Sequence, residues 1–190
     1  MKQTSDIEGW FGYEGTYNFL INSMPQNGKF VECGAWMGKS SSYLCDKVSS
    51  DRPDIDVFIV DTWKGSINEM DSTHKIAQET DIYQIFLENM GARKFTAMQL
   101  SSVEASTKFT DESLDVVFID MCHLYDCVKE DLEAWYPKLK YGGYIAGHDI
   151  SWMGVHQAVA EKFGHRQDGK QIIKCVPGDC WMVQKIKEET

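Results

Sequence analysis

The stretch from Val31 to Ser41, VECGAWMGKSS, has the composition of a strand, a glycine turn and the start of a helix. Gly34 and Gly38 would allow the backbone to approach a ligand closely, since glycine has no Cβ atom in the way. The first turn of a helix also offers N–H groups without an intrahelical partner. Together these features predict a site for a nucleotide-like ligand at this turn.

Glycine turns of this general kind bind ligands of three classes, each with its own sequence pattern. A P-loop has four residues between its glycines, whereas three residues separate Gly34 from Gly38. The run VVFID at 116–120 nevertheless resembles the strand and Asp that hold Mg²⁺ in nucleotide hydrolases, so the P-loop alternative stays open. A dinucleotide-binding fold has the pattern GxGxxG, and this chain has only ExGxxxG.

Two acidic residues favour the third ligand. Glu32 ends the first predicted strand, where its carboxylate can receive the ammonium group of an amino-acid ligand. Asp61 ends the second predicted strand, where it can accept charge-assisted hydrogen bonds from both hydroxyls of a ribose. An amino acid joined to a nucleoside is S-adenosylmethionine, which we therefore predict as the cofactor. The alternatives are a capping or salt-bridge role for Glu32 and a turn role for Asp61.

These residues can form one site only if strands and helices bring them to the same edge of a sheet. Apolar runs predict strands at 29–32, 56–61, 95–100, 114–120 and 144–147, and helical periodicity predicts helices at 40–48, 124–136 and 155–163. Strands that alternate with helices indicate a parallel sheet with helices on both faces. The helix at 40–48 is expected to be capped by one of its initial serines.

The two ends of the chain and one internal segment lie outside this alternation. The last two predicted strands, 171–176 and 180–186, are joined at Pro177 and Gly178, which leaves room only for an antiparallel hairpin. Segment 7–24 is predicted to be helical, and segment 67–90 is predicted to be polar at first and then helical. We expect both to cover the carboxyl edge of the sheet, where ligands bind in such folds.

Composition narrows the class of protein. The chain has 190 residues, with 19 Lys and Arg against 29 Asp and Glu, a formal net charge of −10. This length and 43% hydrophobic residues predict one domain with a substantial core. The acidic balance predicts no nucleic-acid partner. Short apolar runs and the absence of a signal peptide predict a cytoplasmic protein without membrane spans, in which six scattered cysteines are free thiols.

Four motifs follow one another along the chain: 31–41 (VECGAWMGKSS), 60–66 (VDTWKGS), 113–150 (including His123) and 154–159 (GVHQAV). In these motifs the sequence resembles the class I S-adenosylmethionine-dependent methyltransferases, and in particular methyltransferase family 24, which is akin to the catechol O-methyltransferase-like group. The resemblance spans about residues 28–186. It implies a Rossmann-like α/β fold, a three-layer sandwich around a seven-stranded, mostly parallel sheet with an antiparallel final strand. Length and the strand–helix alternation predict a single domain over 1–190, with an N-terminal helical cap at 1–27 and a helical insert at 64–91 near the active site.

The resemblance implies which residues hold the cofactor. The glycine turn would line the methionine part, Asp61 would hold the ribose, and Thr62 and Trp63 would lie beside the adenosine. The family usually has an Asp-Ser pair near the adenine, and here the pair is Ser101 and Ser102, so the acidic member is missing. The predicted cofactor-binding residues are Glu32, Gly34, Ala35, Trp36, Gly38, Ser40, Asp61, Thr62, Trp63, Ser102 and Asp120.

A metal site is predicted at the ends of two further strands. Asp120 ends the fourth predicted strand and Asp149 follows the fifth, so both carboxylates are expected in one cleft, where they repel unless a cation or a proton lies between them. Mg²⁺ or Ca²⁺ suits such oxygen ligands. Some relatives hold an ion with an Asp and a following pair, here His148 and Asp149, and the histidine would favour Mn²⁺ or Zn²⁺. The alternative is that Asp120 orients the cofactor or base and that Asp149 only caps a turn.

The expected chemistry is O-methylation of a hydroxyl on a small molecule. Family members commonly read Asp-Gly-Asp-His after the fourth strand, and this chain reads Asp120, Met121, Cys122, His123. His123 is the predicted general base because its ordinary pKa lies near neutrality. His148 is the second candidate base, and helix capping is the alternative role for His123.

Two other functions remain open at this point. Cys122 and Ser101 depart from the family pattern, which would suit a module that binds S-adenosylmethionine without catalysis, and the third reading is the P-loop nucleotide-binding protein. The expected partner is a small-molecule substrate. The aromatic N-terminus (Trp10, Phe11, Tyr13) indicates either a cap over the ligand or a contact in a homodimer.

Overall fold

The computed structural model describes residues 2–65, 72–164 and 173–187. Seven strands form one sheet across these ranges. The strands are β1 (Lys29–Cys33), β2 (Asp56–Asp61), β3 (Thr96–Gln99), β4 (Leu114–Ile119), β5 (Leu139–Gly147), β6 (Lys174–Val176) and β7 (Cys180–Gln184).

The sheet order is β3-β2-β1-β4-β5-β7-β6. The first five strands of the chain pair in parallel, and β7 runs antiparallel to both of its neighbours, β5 and β6. The predicted Rossmann-like α/β fold with a reversed final strand is therefore confirmed. The parallel strands bring the carboxyl ends of β1, β2, β4 and β5 to one edge, where the predicted site residues follow.

Helices cover both faces of the sheet and give it the three predicted layers. One core contains side chains of α1, α2 and α4, and the opposite core contains side chains of α5, α6 and α7. None of the helices in the described ranges has the length and hydropathy that crossing a bilayer requires. The helices are α1 (Glu14–Ser23), α2 (Lys39–Asp51), α3 (Ser72–Glu79), α4 (Ile82–Met90), α5 (Ser102–Ser106), α6 (Tyr125–Trp135) and α7 (Met153–Phe163).

Alternation along the central strands decides which core each side chain enters. In β1, Phe30 packs into the α1–α2 core and Val31 into the opposite core; in β4, Phe118 and Ile119 divide in the same way. Glu32 shares the face of Phe30, so the pleat directs its carboxylate beneath α1 and α2. This placement of an acidic side chain within a helical layer matters for the site.

Two helical segments differ from the sequence-based expectation. Within 7–24, the helix begins only at Glu14, and residues 7–13 form an irregular lead that includes Gly9 at φ +135°. Helix α2 begins at Lys39 with Gly38 as its N-cap at φ +92°, and no side chain caps it. The serines expected to cap this helix therefore lie inside it.

The remaining differences concern element boundaries. The predicted insert at 64–91 contains α3 and α4, and its residues 66–71 lie outside the described residues. The strand predicted at 171–176 is observed as β6, with 171–172 also outside them. Strand β5 begins at Leu139, earlier than predicted. All six cysteines are free thiols, as expected.

Substitution of Gly34 tests how closely β1 and β4 approach. A Cβ atom on Gly34 would lie 1.8 Å from the carbonyl oxygen of Asp120, and Gly34 has φ +95°. Gly142 has a similar φ of +87° with nothing within 4 Å of its Cβ position. We expect Gly142→Ala to lower the free energy of unfolding by about 1–2 kcal/mol through backbone strain alone. Gly34→Ala should cost roughly 1–3 kcal/mol more, because the strand ends must separate.

Urea unfolding of both variants measures this difference. Equal losses for the two alanine variants would show that the ends of β1 and β4 separate at little cost, which would contradict the prediction.

Candidate functional site

The glycine turn lies where three strand ends meet. The Gly34 N–H donates to the carbonyl of Val60 at 2.8 Å, and the Asp120 N–H donates to the carbonyl of Cys33 at 2.7 Å. A side chain at position 34 would overlap the Asp120 backbone. The turn is therefore held between the ends of β2 and β4, and the absence of a Cβ atom at Gly34 is what allows this contact.

Asp61 fixes the conformation of the turn. Its Oδ2 accepts the backbone N–H groups of Ala35 at 2.8 Å and Trp36 at 3.0 Å, and its Oδ1 accepts the N–H of Trp63 at 2.7 Å. Burial raises the pKa of Asp61, although the hydrogen bonds from these amides oppose the shift. A carboxylate has about four acceptor positions, and these three amides, with a further contribution from the Thr62 amide, take most of them. The expected contact with both hydroxyls of a ribose would therefore have to share or displace backbone donors.

The two residues after Asp61 take different positions. The Trp63 indole N–H donates to the carbonyl of Trp36 at 2.9 Å, and its ring packs against Tyr83 and Phe86 of α4 with 4% exposure. The ring of Trp63 thus closes the turn from the side of α4 instead of facing open space. Thr62 is half-buried, and its hydroxyl accepts the N–H of Lys64 at 3.2 Å.

Glu32 is enclosed beneath the turn. It has no exposed surface, and its carboxylate accepts the hydroxyl of Tyr17 at 2.6 Å and the hydroxyl of Ser41. Burial raises its pKa to about 7, against the effect of hydrogen bonds from Ser41, Tyr17 and Ser40. In this arrangement Glu32 and Ser40 support the turn from below, and the ammonium contact that the sequence suggested for Glu32 is not available to a ligand above it.

Ser102 faces away from the carboxyl edge. It begins α5 with 6% exposure, and its hydroxyl accepts the indole N–H of Trp135 at 2.8 Å. Ser101 forms a capping box with Glu104 at the start of the same helix. The adenine contact implied for Ser102 by the family pattern therefore has no counterpart here, because the α5–α6 packing turns its hydroxyl into the interior.

Four polar side chains gather at the ends of β4 and β5. The Nε2 atom of His123 lies 2.9 Å from Asp149 Oδ2 and 3.8 Å from Asp120 Oδ1. The Nδ1 atom of His148 lies 3.2 Å and 3.6 Å from the same two oxygens. We call Asp120, His123, His148 and Asp149 the edge cluster. Both candidate bases and both predicted carboxylate ligands thus occupy one place.

Electrostatic coupling dominates this cluster. Burial lowers the pKa of both histidines, but the carboxylates of Asp120 and Asp149 outweigh it and raise the pKa to about 9 for His123 and about 10 for His148. Burial raises the pKa of the two carboxylates, and the neighbouring histidines reverse this and lower it. At neutral pH the cluster therefore contains two carboxylates and two imidazolium groups.

One atom of the cluster has an ion-pair partner but no hydrogen bond. The Nε2 of His123 is buried and lies 2.9 Å from Asp149 Oδ2, yet it makes no hydrogen bond within the part of the chain that the structure describes. Ligand atoms of Asp120, His123 and Asp149 all lie within 4.8 Å of one another, which suits a single metal ion. Two carboxylates and one imidazole fit a divalent cation such as Mn²⁺ or Zn²⁺, and its binding would displace the proton from Nε2.

Two tyrosines contact the acidic residues, which the sequence did not predict. Tyr13 donates its hydroxyl to Asp120 Oδ2 at 3.0 Å, and Tyr17 donates to Glu32. Their four-residue spacing was visible as part of an amphipathic pattern, but the pattern alone does not show that the hydroxyls find carboxylates. Trp152 also lies at the site, with its ring 4.8 Å from the His123 ring and 54% exposure.

Comparison with known proteins assigns the family. A family model described as a methyltransferase domain matches residues 31–150, more than half of the chain. The chain therefore belongs to the methyltransferase domain family, which confirms the resemblance seen in the sequence. An uncharacterised protein of Sinorhizobium fredii, y4gI, is 29% identical over 138 residues, or 70% of this chain. The chain spans only about 15% of the length of that relative.

Solved structures share the fold at low identity. The O-methyltransferase NovP has 17% identity and a TM-score of 0.62, with 92% of this chain and 79% of that chain covered. The calicheamicin methyltransferase CalS11 has 14% identity and a TM-score of 0.60, with coverage of 90% and 76%. A candidate methyltransferase of Streptococcus mutans, in complex with SAH, has 12% identity and a TM-score of 0.60, with coverage of 94% and 100%.

The buried carboxyl group of Glu32 predicts a pH dependence of stability. Its pKa is about 7 in the folded protein against 4.5 for the free group, so the folded state retains a proton that the unfolded state loses between these values. The free energy of unfolding of the wild type should fall relative to that of Glu32→Gln, by on the order of 2–3 kcal/mol, as the pH rises from about 5 to about 8.

Denaturant unfolding across this pH range measures the effect. Glu133→Gln, which changes an exposed glutamate of α6, is the control and should show no such trend. A constant difference between wild type and Glu32→Gln would mean that Glu32 is ionised in the folded protein throughout.

Proposed function

We propose that this protein transfers a methyl group from S-adenosylmethionine to a hydroxyl of a small molecule, with a divalent cation at the edge cluster. The observation that carries the proposal is the contact between Gly34 and the backbone of Asp120. It makes the glycine turn, which is expected to bind the methyl donor, continuous with the cluster that can hold a cation and a proton. Membership of the methyltransferase family and the likeness to NovP and CalS11 support this assignment.

Different residues of the chain would contact different parts of the cofactor. Asp61 holds the turn by its amides, and the predicted contact with the two ribose hydroxyls would form in competition with these amides. Gly34, Ala35, Trp36 and Gly38 form the backbone surface against which the methionine part would lie. Glu32 and Ser40 act from beneath by fixing that surface.

The reaction breaks the bond between the sulfonium sulfur and the methyl carbon and forms a bond from the acceptor oxygen to that carbon. Sulfur keeps the electron pair of the broken bond and becomes a neutral thioether, and the acceptor hydroxyl loses its proton. Because the methyl group is already activated, the protein supplies alignment and a place for that proton.

In this proposal the edge cluster accepts the proton and binds the acceptor hydroxyl. Asp120, His123 and Asp149 are the residues that would hold the cation, since their ligand atoms converge and His123 Nε2 makes no hydrogen bond in the described part of the chain. A divalent cation there would supply Lewis acidity toward the acceptor hydroxyl. His123 would then be a ligand, which leaves His148 as the base. His148 is protonated while it faces the charges of Asp120 and Asp149, so it can take the proton of the acceptor only after it has lost its own, which neutralisation of these carboxylates by the cation would favour. Trp152 beside His123 would form an exposed wall for the acceptor.

A small acceptor agrees with the charge of the chain. The net charge of −10 disfavours a nucleic-acid substrate through repulsion of its phosphates. A sugar, polyketide or small phenol hydroxyl remains the proposed acceptor, and a cytoplasmic location and a homodimer remain predictions from the sequence.

Calorimetry with S-adenosylhomocysteine tests the cofactor assignment. If Asp61 positions the turn and contacts the ribose, Asp61→Asn should weaken binding by about 2–3 kcal/mol through loss of charge-assisted hydrogen bonds. Asp56→Asn, at the opposite, exposed end of β2, is the matched control and should bind as the wild type does. No binding by the wild type at millimolar ligand would end the methyltransferase proposal.

A cation titration tests the edge cluster separately. Mn²⁺ should bind the wild type, and Asp149→Asn should weaken that binding about 100-fold or more, since even second-shell changes at metal sites cost about 10–100-fold. Asp126→Asn, an exposed residue of α6 three positions after His123, removes the same charge nearby and should leave Mn²⁺ affinity unchanged. If both variants weaken Mn²⁺ binding equally, the cause is the loss of one negative charge near the site and not the loss of a metal ligand.

Turnover distinguishes an enzyme from a module that only binds the cofactor. A panel of sugar, polyketide and phenol hydroxyls and amines should include an acceptor that is methylated in the presence of Mn²⁺ or Mg²⁺. Cofactor binding without methylation of any panel member would support the non-catalytic module.

A further inference from the structure

Two phenols, one from the lead into α1 and one from α1 itself, contact the two acidic residues at the ends of β1 and β4. Tyr17 donates to Glu32 at 2.6 Å, and Tyr13, the residue immediately before α1, donates to Asp120 Oδ2 at 3.0 Å. Only the second of these carboxylates belongs to the edge cluster. The question is what the Tyr13 hydroxyl does for Asp120.

Tyr13 is held from several sides. It is 3% exposed, and its ring stacks on Phe118 of β4 with centroids 5.3 Å apart and an interplanar angle of 21°. The ring of His148 lies 4.7 Å away. The turn between β6 and β7 closes on the backbone side, where a Cβ on Gly178 would lie 2.8 Å from the Tyr13 Cβ. The hydroxyl therefore has a fixed position relative to the cluster.

The hydroxyl acts as a donor. A carboxylate oxygen can only accept, so the Tyr13 hydroxyl donates its proton to Oδ2 of Asp120 across the 3.0 Å contact. The other oxygen, Oδ1, is the one that lies 3.8 Å from His123 Nε2 and 3.6 Å from His148 Nδ1.

We infer that Tyr13 is a positioning residue that fixes the rotation of the Asp120 carboxylate and so turns Oδ1 toward His123 and Asp149. The inference rests on the proposed function, because the cation at the edge cluster is part of that proposal. Partners that hydrogen-bond to a ligating carboxylate restrict its orientation, and their loss typically lowers metal affinity or activity about 10–100-fold. Tyr13 contributes no ligand atom itself.

A second phenol on the same helical layer offers a matched control. Tyr43 of α2 donates its hydroxyl to Asn18 Oδ1 of α1 at 3.0 Å. The Tyr43–Asn18 hydrogen bond is part-buried, as the Tyr13–Asp120 hydrogen bond is, and it also ties a neighbouring element to α1. The hydrogen bond and ring contact described for Tyr43 do not involve the edge cluster. Tyr43→Phe therefore removes a comparable tether of the helix without touching Asp120.

The experiment compares wild type, Tyr13→Phe and Tyr43→Phe by Mn²⁺ titration with electron paramagnetic resonance detection of free ion, and by thermal unfolding. Tyr13→Phe should weaken Mn²⁺ binding about 10–100-fold, while Tyr43→Phe should bind Mn²⁺ as the wild type does. Both variants should show a similar, small fall in melting temperature, because each loses one hydrogen bond. Calorimetry with S-adenosylhomocysteine on the same samples should show affinities that agree within about twofold, since the turn is not altered.

Each other result overturns the inference. Wild-type Mn²⁺ affinity in Tyr13→Phe would mean that Asp120 needs no positioning, and the proposed function would stand. Equal weakening in both variants would assign the effect to displacement of α1. Absence of Mn²⁺ binding by the wild type would remove the cation and this role together, while S-adenosylhomocysteine binding would still judge the methyltransferase assignment independently.

Discussion

The close approach of β1 and β4 at their carboxyl ends is the constraint on which the rest of the site depends. Gly34 lies against the carbonyl of Asp120 at a distance that no side chain would permit. This approach places the turn after β1 beside the residues after β4. Asp61, at the end of β2, accepts hydrogen bonds from the backbone amides of the turn and so fixes its conformation. The glycine turn and the edge cluster are thereby parts of one edge of the sheet.

The alternation of the central strands then distributes the acidic side chains. Glu32 enters the layer of α1 and α2 because it shares a face with Phe30, and it becomes an interior group with two hydroxyl partners. Asp120 lies beyond the end of its strand, where it meets Tyr13 on one side and two histidines on the other. Two carboxyl groups on adjacent strands thus have different environments: Glu32 is fully buried, whereas the Asp120 side chain is partly exposed.

Much of this arrangement was predictable, for a definite physical reason. Asp61, Asp120 and Asp149 follow strands whose apolar runs are evident in the sequence, and parallel strands bring their carboxyl ends together. The sheet with its reversed final strand followed from the same alternation and the hairpin at Pro177. Positions of side chains that depend on packing between helices were less accessible. Ser102 turns toward Trp135, and Tyr13 meets Asp120 across 107 positions of sequence, which no local pattern reveals.

The partners of the two acidic groups also bear on where this domain can be divided. The family model begins at position 31, yet the phenols that satisfy Glu32 and Asp120 come from Tyr13 and Tyr17, upstream of that boundary. A recombinant fragment trimmed to the matched region would expose the α1 face of the sheet and leave the Glu32 carboxyl short of a donor. Chimeras that graft this sheet onto another methyltransferase should therefore carry the first helix with it.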